Sequence, residues 1–423
     1  MSLRIFTAVR HASDPRQFYG GLWSGNFYPA LRQLGHEIVE SQTDLLPTSR
    51  FMQIAGGFTP EEQEARAATT DQILAEVRQA HAERPIDLFL SYFYNSHFDP
   101  AGFAELKRLG IPTVNFYCNS IYQFDLVREI APRADFAWHA EREARALYRA
   151  AGATPVWVQM GADPEIYRPC PEIPRDPDVC FVGQRYADRD RWIHALVRAE
   201  VPLALFGPGW GKDSHPTSIP DPTVAAAPAD RYLGRPTPRP GSFASYARLM
   251  RELVSSHGVL GAAGRVRRMG QYRRDTRRLA ESFRALARGP IPVTEIAATF
   301  SGHEICLNLS NVWSDGRAGS ELIPHVRLRD FEAPMCRTCY LTGHTDEIEE
   351  FYEVGTEIDC YRSPEELVEK CRFYLAHPEA AERLREAGFQ RARRDHTWVR
   401  RFQELFEKIG LKTGSSPRGS QPT

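Results

Sequence analysis

The sequence predicts an α/β protein built from two doubly wound domains, and three observations lead to this prediction. At 423 residues the chain is too long for one ordinary hydrophobic core. In both halves, strand-like apolar runs alternate with stretches of helical length, a pattern typical of parallel sheets covered by helices. Between the halves, MGADPEIYRPCPEIPRDPD is rich in proline, as an interdomain connection often is.

The first domain is predicted over residues 1–160. RIFTAVRH (4–11) is a strand, and residues 24–40 give a helix, a glycine stop and a second strand. Residues 61–83 form a long polar helix, and IDLFLSYF (86–93) is apolar throughout, as a strand buried on both faces should be. Residues 100–118 repeat the order of helix, glycine and strand. ADFAWHA and TPVWVQM then add two short strands around another helix.

The second domain is predicted over residues 178–375, after a hinge at 161–177. The alternation resumes with DVCFVG, RDRWIHALVRA and PLALFG, and it continues after a long interruption with HEICLNLS and CYLT. Helices at 376–411 are predicted to pack back toward the first domain. The tail at 412–423 is rich in Gly, Ser and Pro and is predicted to be disordered.

The composition favours a soluble globular protein without a strong charge preference. Hydrophobic residues make up 42% and charged residues 25%, and the net charge is −1, which gives no reason to expect a nucleic-acid partner. No apolar run reaches the roughly 18–20 residues that a membrane helix needs. The chain starts directly with a strand-like run and lacks a signal-peptide pattern. A cytoplasmic location is therefore expected.

The interruption at 212–290 differs from the rest of the chain in charge. It carries 15 Lys and Arg against 6 Asp and Glu, and nine of the arginines fall between Arg265 and Arg288. A mainly helical basic insertion is predicted, in which like charges four residues apart repel each other. The segment is either a solvated basic helix packed through its apolar residues or a docking surface for an acidic partner or an anionic acceptor.

The eight cysteines lie mostly inside apolar runs, which favours reduced, buried thiols over a disulfide framework. Cys336 and Cys339 form a single CxxC. A zinc site would need two further ligands at matching spacing, which the sequence does not offer, and the pair follows a helix instead of opening one. No metal site is predicted.

Candidate ligand contacts lie where predicted parallel strands end, since ligands bind at that edge of open sheets. Three strands of the second domain end in such candidates. The first is followed by Gly183 and Arg185, the second by Gly207, Gly209 and Trp210, and the third ends at Asn308. Tight turns and an arginine near a helix start suit an anionic ligand. A surface ion pair of Arg185 with Asp188 or Asp190 is the alternative.

In the first domain, His11, Asp14 and Asn119 follow strand ends and are candidates for catalysis on the acceptor side of a cleft. The pKa of histidine, near 6.5, suits proton transfer at neutral pH, while a local hydrogen-bonding role for His11 stays equally open. His97 and His139 are further candidates at strand ends.

HVRLRDFEAPMCRTCYLT (325–342) places Arg327, Arg329 and Glu332 around a predicted helix start, followed at once by a strand. Such a cluster suits a phosphorylated ligand. A solvated helix end is the alternative.

The residues also resemble a known family. VQMGADPEIYRP (158–169) resembles the hinge motif of GT-B glycosyltransferases, and the chain is similar to the spore-maturation CgeB-like glycosyltransferases and to retaining family 4. Stretches that match in the family's order are LKRLGIPTVNFY, DVCFVGQR, LALFGPGW, HEICLNLS, RLRDFEAPMCRTCYLT and RRDHTWVRRFQEL. The likeness covers most of residues 85–210 and 295–406.

The resemblance implies a GT-B fold, in which two Rossmann-like domains face each other across a cleft and the second domain holds a nucleotide-sugar donor. It further implies that Glu332 binds the donor ribose and that Arg185 and Arg329 face the diphosphate, with no metal or other cofactor required. Two positions depart from the pattern: Pro324 stands where family 4 often has a glutamate, and Arg337 stands where glycine is usual.

These observations predict a metal-independent glycosyltransferase that moves a sugar from a nucleotide diphosphate to an unidentified acceptor. A sugar-nucleotide epimerase of the same fold and a non-catalytic binding protein that docks an acidic partner through the basic insertion are the alternatives.

Overall fold

The computed structural model describes residues 2–10, 21–49, 51–52, 57–211, 231–232, 235–236, 243–315 and 318–411. The described residues divide into two compact units. Unit 1 contains those of Met1–Gln159 and those from Trp398 onward, together with Arg235, and unit 2 contains those of Met160–Tyr232 and Pro236–Thr397. His11, Asp14 and the predicted tail lie outside the described residues.

Unit 1 contains a sheet of six parallel strands. They are β1 (Arg4–Ala8), β2 (Glu37–Glu40), β3 (Leu88–Ser91), β4 (Thr113–Tyr117), β5 (Phe136–His139) and β6 (Pro155–Trp157), in the order β2-β1-β3-β4-β5-β6. Every residue of β3 is buried, as expected for a central strand covered on both faces. The chain order reverses between β1 and β3, which is the topological switch point of this sheet.

The helices that follow these strands begin and end at local signals. They are α1 (Leu22–Gln33), α2 (Leu46–Ser49), α3 (Pro60–Glu83), α4 (Pro100–Arg108), α5 (Ser120–Gln123) and α6 (Arg145–Ala150). Thr59 and Glu62 form a reciprocal capping box at the start of α3, with Pro60 in the first turn. After α4 the chain turns at Gly110, whose φ of 73° lies in the left-handed region that glycine adopts without strain.

The remaining strands are β7 (Asp176–Val182), β8 (Leu203–Phe206), β9 (Arg231–Tyr232), β10 (Arg235–Pro236), β11 (Ala287–Gly289), β12 (His303–Asn308), β13 (Val312–Trp313), β14 (Leu322–Ile323), β15 (Cys339–Gly343) and β16 (Asp359–Tyr361). Six of them form the parallel sheet of unit 2, in the order β11-β8-β7-β12-β15-β16. β9 pairs with β10, and β13 pairs antiparallel with β14. Val179, Leu205, Ile305 and Leu341 centre the apolar core.

The helices of unit 2 are α7 (Arg189–Arg198), α8 (Phe243–Arg284), α9 (Val293–Ser301), α10 (Arg329–Met335), α11 (Pro364–Ala376) and α12 (Pro378–Asp395). α8 forms most of the described part of the basic insertion and is interrupted at Gly258, which has non-helical backbone angles. α10 ends just before Arg337, whose φ of 59° lies in the left-handed region. The backbone therefore takes the shape that glycine usually provides, although the residue is arginine.

The last helix, α13 (Trp398–Lys408), belongs to unit 1 although α12 lies in unit 2. Trp398 is buried, packs against Phe27 and Trp138, and donates its indole N–H to Asn26 Oδ1 at 2.8 Å. Within the stretch 376–411, α13 packs inside unit 1, and the predicted packing of the rest of the stretch toward the first domain stays a prediction.

Two six-stranded parallel sheets with helical connections confirm the predicted α/β class with two doubly wound domains. Among the described helices, none combines the length with the apolar character that crossing a bilayer requires.

Candidate functional site

A cavity of about 230 Å³ opens at the carboxyl edge of the unit 2 sheet, where β12, β15 and β16 end. It is lined by Trp192, Leu309, Ser310, Asn311, Pro324, Gly343, His344, Tyr361 and Arg362. Parallel strands bring their following loops together at this edge, and open α/β sheets bind their ligands there. The cavity is therefore a candidate for a ligand site in unit 2.

Gly343, the last residue of β15, leaves room in this cavity because it has no side chain. A Cβ atom at this position would lie 2.6 Å from Ser310 Oγ and 3.8 Å from the Tyr361 hydroxyl, and both of these residues line the cavity. The Tyr361 hydroxyl is itself fixed, since it donates to the Asn308 carbonyl oxygen at 2.5 Å. Any larger residue at 343 would displace the wall of the cavity.

Two arginines support one wall of the cavity from behind. Arg189 donates to the carbonyl oxygen of Leu309 at 3.1 Å, and Arg327 donates to those of Ser310 and Asn311 at 3.2 and 3.3 Å. The Nε of Arg189 is buried and has no hydrogen-bond partner among the residues that the structure describes. Burial, and then the neighbouring Arg327, lower the pKa of Arg189 to about 9. Two cations held this close in a partly dry environment favour an anion beside them.

Asp188 orients two residues of the cavity. Its Oδ2 accepts hydrogen bonds from Trp192 Nε1 at 2.9 Å and from Asn311 Nδ2 at 2.8 Å. The carboxylate thus holds the start of α7 and the loop after β12 at a fixed spacing.

Asp330 organises the strand ends beside the cavity. This buried carboxylate accepts hydrogen bonds from the Thr342 and Tyr340 hydroxyls, each at 2.8 Å, from Asn308 Nδ2 at 3.2 Å, and from the backbone N–H of Arg327 at 2.6 Å. Burial raises the pKa of Asp330. The side-chain amide of Asn308 is committed to this network, and its predicted contact with a donor stays a prediction.

Arg185 lies in a different environment from the one predicted. Its guanidinium is buried, donates to both carboxylate oxygens of Asp190 at 2.7 and 2.6 Å and to the carbonyl oxygen of Thr276 at 2.6 Å, and lies 5.1 Å from the centre of the Phe283 ring. The ion pair considered as the alternative is present, but it is buried in the packing against α8. This geometry disfavours the predicted contact of Arg185 with a diphosphate.

The glycines near Arg185 permit two loops to pack against each other. Gly207 has a φ of 117°, and a Cβ on it would lie 2.5 Å from the carbonyl oxygen of Gly183. Gly209 has a φ of 97°, and a Cβ on it would lie 2.6 Å from the Cβ of Arg185. Trp210 is buried and donates its indole N–H to the Gly183 carbonyl at 2.8 Å. Packing between the loops after β7 and β8 accounts for these residues.

Glu332 and Arg329 form an ion pair at the start of α10, and the Tyr167 hydroxyl also hydrogen-bonds to Glu332. The Glu332 side chain is only 2% exposed, whereas Arg329 keeps 26% of its side-chain surface open. Burial alone would lower the pKa of Arg329, but Glu332 outweighs it and raises that pKa. Arg329 is thus the accessible member of the pair, and the ribose contact of Glu332 stays a prediction.

In unit 1 the structure describes one of the three predicted catalytic residues. Asn119 precedes α5, is partly exposed, and makes no side-chain capping hydrogen bond. His97 is fully buried, with its two ring nitrogens near Tyr94 N at 3.2 Å and Ser49 Oγ at 3.1 Å, which indicates a structural role.

His139 ends β5 and is fully buried. Its Nδ1 lies 2.8 Å from the Glu141 carbonyl oxygen, and its ring stacks on Tyr148. Within the described part of the chain, its Nε2 has no hydrogen-bond partner. Burial lowers the pKa of His139 to about 4 from its ordinary value of 6.5.

The unfolded chain therefore binds a proton at His139 at a higher pH than the folded one. The stabilisation from the neutral ring is present above pH 6.5 and is lost as the pH falls toward 4. We expect the free energy of unfolding of unit 1 to fall by about 2 kcal/mol between pH 7 and pH 5 because of this residue. Urea titrations at both pH values measure this decrease, with hydrogen exchange of unit 1 peptides as the readout. His139→Gln should reduce the pH dependence, and His377→Gln at an exposed position should not; equal slopes in all three proteins would contradict the assignment.

The cavity contains residues that the sequence reasoning did not select. Ser310, Gly343, His344 and Tyr361 follow or end strands in the same way as Asn308 does. The signal that could have found them is LTGHT, a glycine and a histidine directly after a predicted strand.

Cys336 and Cys339 are both buried and free. Within the part of the chain that the structure describes, no group of three or more His, Cys, Asp and Glu side chains is arranged to hold a metal ion.

One protein-family model matches part of the chain. Residues 239–407 match the family model described as glycosyl transferase-like. The match spans less than half of the chain, and it includes α8 to α13 and most of the residues that line the cavity. A search of curated proteins finds no match.

Solved structures of similar fold cover nearly the whole chain. Sucrose-phosphate synthase from Thermosynechococcus elongatus is 14% identical, over 97% of this chain and 99% of that one, with a TM-score of 0.53. A glycosyltransferase from Rickettsia africae is 11% identical over 96% and 98%, with a TM-score of 0.55. HepE from Anabaena, solved in complex with UDP, is 12% identical over 97% and 100%, with a TM-score of 0.52.

The fold is that of the GT-B glycosyltransferases, and the expected fold class is confirmed. The matched domain family and the fold support the prediction of a glycosyltransferase, and with it of a transferase enzyme. The finer resemblance to CgeB-like enzymes stays a prediction.

Proposed function

We propose that this protein transfers a sugar from a nucleotide-diphosphate donor to an acceptor, and that the cavity at the carboxyl edge of the unit 2 sheet binds the donor. The observation that carries the proposal is the position of Arg189 and Arg327 directly behind the Leu309–Asn311 wall of that cavity. A bound diphosphate would bring negative charge to two cations that have only partial compensation inside the protein.

The chemistry follows from this charge arrangement. When the bond between the sugar and the diphosphate breaks, negative charge develops on the departing nucleotide. Arg327, the accessible Arg329 and the polarising field of Arg189 would stabilise this charge without reorganising at the moment of reaction. The protein would then supply the positive charge that a metal ion provides elsewhere, and we propose metal-independent transfer on this basis.

The structural neighbour from Anabaena was solved with UDP, which makes UDP the first donor nucleotide to test. On the acceptor side, Asn119 together with His11 and Asp14 stays part of the proposal, as do CgeB-like specificity and a cytoplasmic location.

Gly343→Val is expected to weaken nucleotide-diphosphate binding at least about tenfold, because the branched side chain must displace Ser310 Oγ and enter the cavity. Isothermal titration calorimetry with UDP, GDP, ADP and dTDP measures the affinity, and circular dichroism checks the fold. Gly264→Ala on α8 is the matched control, since the nearest atom to its new Cβ lies at an ordinary 3.7 Å. A folded Gly343→Val protein with wild-type affinity would place the nucleotide elsewhere.

The reaction itself is tested by incubating the protein with the donor that binds, with and without EDTA. We expect donor binding and slow release of free sugar in both conditions, and no conversion of the donor into its epimer. Loss of binding in EDTA would contradict metal independence, and an epimerised donor would contradict transfer.

A further inference from the structure

The part of α8 that follows Gly258 has two distinct faces. One face packs into unit 2 through the buried residues Ala262, Thr276, Leu279 and Phe283, and through Arg265, which pairs with Asp315 at 2.8 Å. The opposite face is exposed, and every arginine of this part of α8 other than Arg265 is exposed. The segment is therefore anchored to the protein and presents a fixed outer surface.

Three arginines and one leucine share the centre of that outer face. Leu260, Arg267 and Arg274 are seven residues apart, and Arg278 follows four residues later, so that their side chains project in nearly the same direction. The four positions span roughly 27 Å along the helix axis. We call Arg267, Arg274 and Arg278 the arginine ridge; all three are exposed.

Among the described residues, the ridge carries more positive charge than the neighbouring acids compensate. Asp275 lies 3.5 Å from Arg278, and Glu281 pairs with Arg284 at 2.8 Å. Arg277 on the same helix and Arg288 in β11 are exposed as well. Arginines four residues apart on one helix repel each other, and an external anionic surface would relieve that repulsion.

The end of the ridge nearest Gly258 is apolar and unusually exposed. Leu260 is 89% exposed and Val259 is 71% exposed, directly after the residue at which the helix is interrupted. Met250 and Val254 before the interruption are also exposed. A water-soluble acidic partner requires only the arginines, whereas a bilayer accommodates both arginines at its headgroups and aliphatic side chains just below them.

We propose that this face of α8 docks the protein on the surface of a bilayer that contains anionic lipids, with the arginine ridge at the headgroups and Val259 and Leu260 entering the acyl boundary. The inference goes beyond the proposed sugar transfer and does not depend on it, because none of these residues lines the cavity. Docking at this face would bring the enzyme to acceptors that reside in or on a membrane.

Vesicle flotation tests the proposal with the full-length protein. In about 0.1 M salt we expect association with vesicles of phosphatidylcholine plus phosphatidylglycerol and little with phosphatidylcholine alone, and we expect salt to weaken it. Arg267→Gln/Arg274→Gln/Arg278→Gln should reduce the bound fraction at least about tenfold. The control Arg198→Gln/Arg383→Gln/Arg393→Gln changes the net charge equally, at exposed positions outside α8, and should bind within about twofold of wild type.

The aliphatic pair separates a bilayer from an acidic macromolecule. Val259→Ser/Leu260→Ser should weaken vesicle binding at least about threefold and leave binding to soluble polyglutamate unchanged. The proposal is overturned if the wild type does not bind vesicles, or if both triple variants lose the same fraction of vesicle binding. It is also overturned if Val259→Ser/Leu260→Ser binds vesicles as well as the wild type does. UDP affinity, measured in every variant, should stay at the wild-type value; this readout distinguishes a failure of docking from a failure of the proposed donor site.

Discussion

Arg185→Ala is expected to lower the free energy of unfolding of unit 2 by about 3–5 kcal/mol, because it leaves a buried carboxylate without its partner. The guanidinium contributes two hydrogen bonds to Asp190 and one to the Thr276 carbonyl oxygen, and it packs over Phe283. All of these partners lose their contact in the variant, and the enclosed position leaves little room for water to replace it.

The same substitution should leave nucleotide affinity within about threefold of wild type in the protein that stays folded. The expectation follows from the geometry, since the guanidinium is turned into the packing against α8 and is absent from the cavity wall. Urea denaturation followed by circular dichroism gives the stability, and calorimetry with UDP at low temperature gives the affinity.

A double variant supplies the control. Arg185→Met/Asp190→Leu removes both charges together and should recover most of the lost stability, because two apolar side chains can occupy the site of a buried ion pair at little net cost. If Arg185→Ala instead keeps its stability and loses affinity tenfold or more, the guanidinium contacts the diphosphate as the resemblance implies, and the buried pair is not its working arrangement.

The fold was predictable because its signals are local. The apolar run around β3 indicated a strand buried on both faces, and all four of its residues are buried. The capping box of Thr59 and Glu62 starts α3 within one residue of the predicted position. Such signals depend on residues close together in the sequence, and each helix or strand can therefore be recognised without knowing its neighbours.

The candidate site was only partly predictable because the partners of an arginine side chain depend on the tertiary structure. Arg185 and Arg189 lie four residues apart in the same loop and first turn, and sequence reasoning selected the first of them. Only the position of Thr276, about ninety residues away, shows that Arg185 is used for packing while Arg189 reaches the cavity wall. The rule that ligands bind at strand ends points to the edge of the sheet where the cavity lies, but it cannot assign roles to the individual side chains.

Arg337 shows a second limit. The sequence shows only that an arginine stands where glycine is usual, and the structure shows that the left-handed backbone of that position is retained. Ion pairs with Glu382 and with Glu386, the latter at 2.7 Å, hold the side chain from α12 and offset part of the strain. This compensation comes from residues more than forty positions away and leaves no signal in the local sequence.

Glu332→Ala is expected to lower the free energy of unfolding by about 3–5 kcal/mol and to weaken nucleotide binding at least about tenfold. The stability loss follows from the structure, because Arg329 and the Tyr167 hydroxyl both lose their acceptor inside the protein. The affinity loss follows from the ribose contact that the resemblance implies for Glu332, and from the loss of the ion pair that holds Arg329, the partly exposed cation at the start of α10, in position. Glu332→Gln keeps the shape and should lose less stability.

Tyr167→Phe distinguishes the two causes given for the loss of affinity, which are the position of Arg329 and the ribose contact of Glu332. Burial, and then Glu332, raise the pKa of Tyr167 well above its usual range, so that the hydroxyl stays protonated and donates to the carboxylate. A ribose that binds Glu332 must compete with this internal hydrogen bond, whose net value is about 1 kcal/mol. If the ribose contact exists, Tyr167→Phe should raise the affinity for UDP about fivefold while lowering stability slightly. Calorimetry with UDP and with its 2′,3′-dideoxy analogue measures the effect, and only UDP should gain. Unchanged or weaker UDP binding would mean that Glu332 holds Arg329 in place and does not touch the nucleotide.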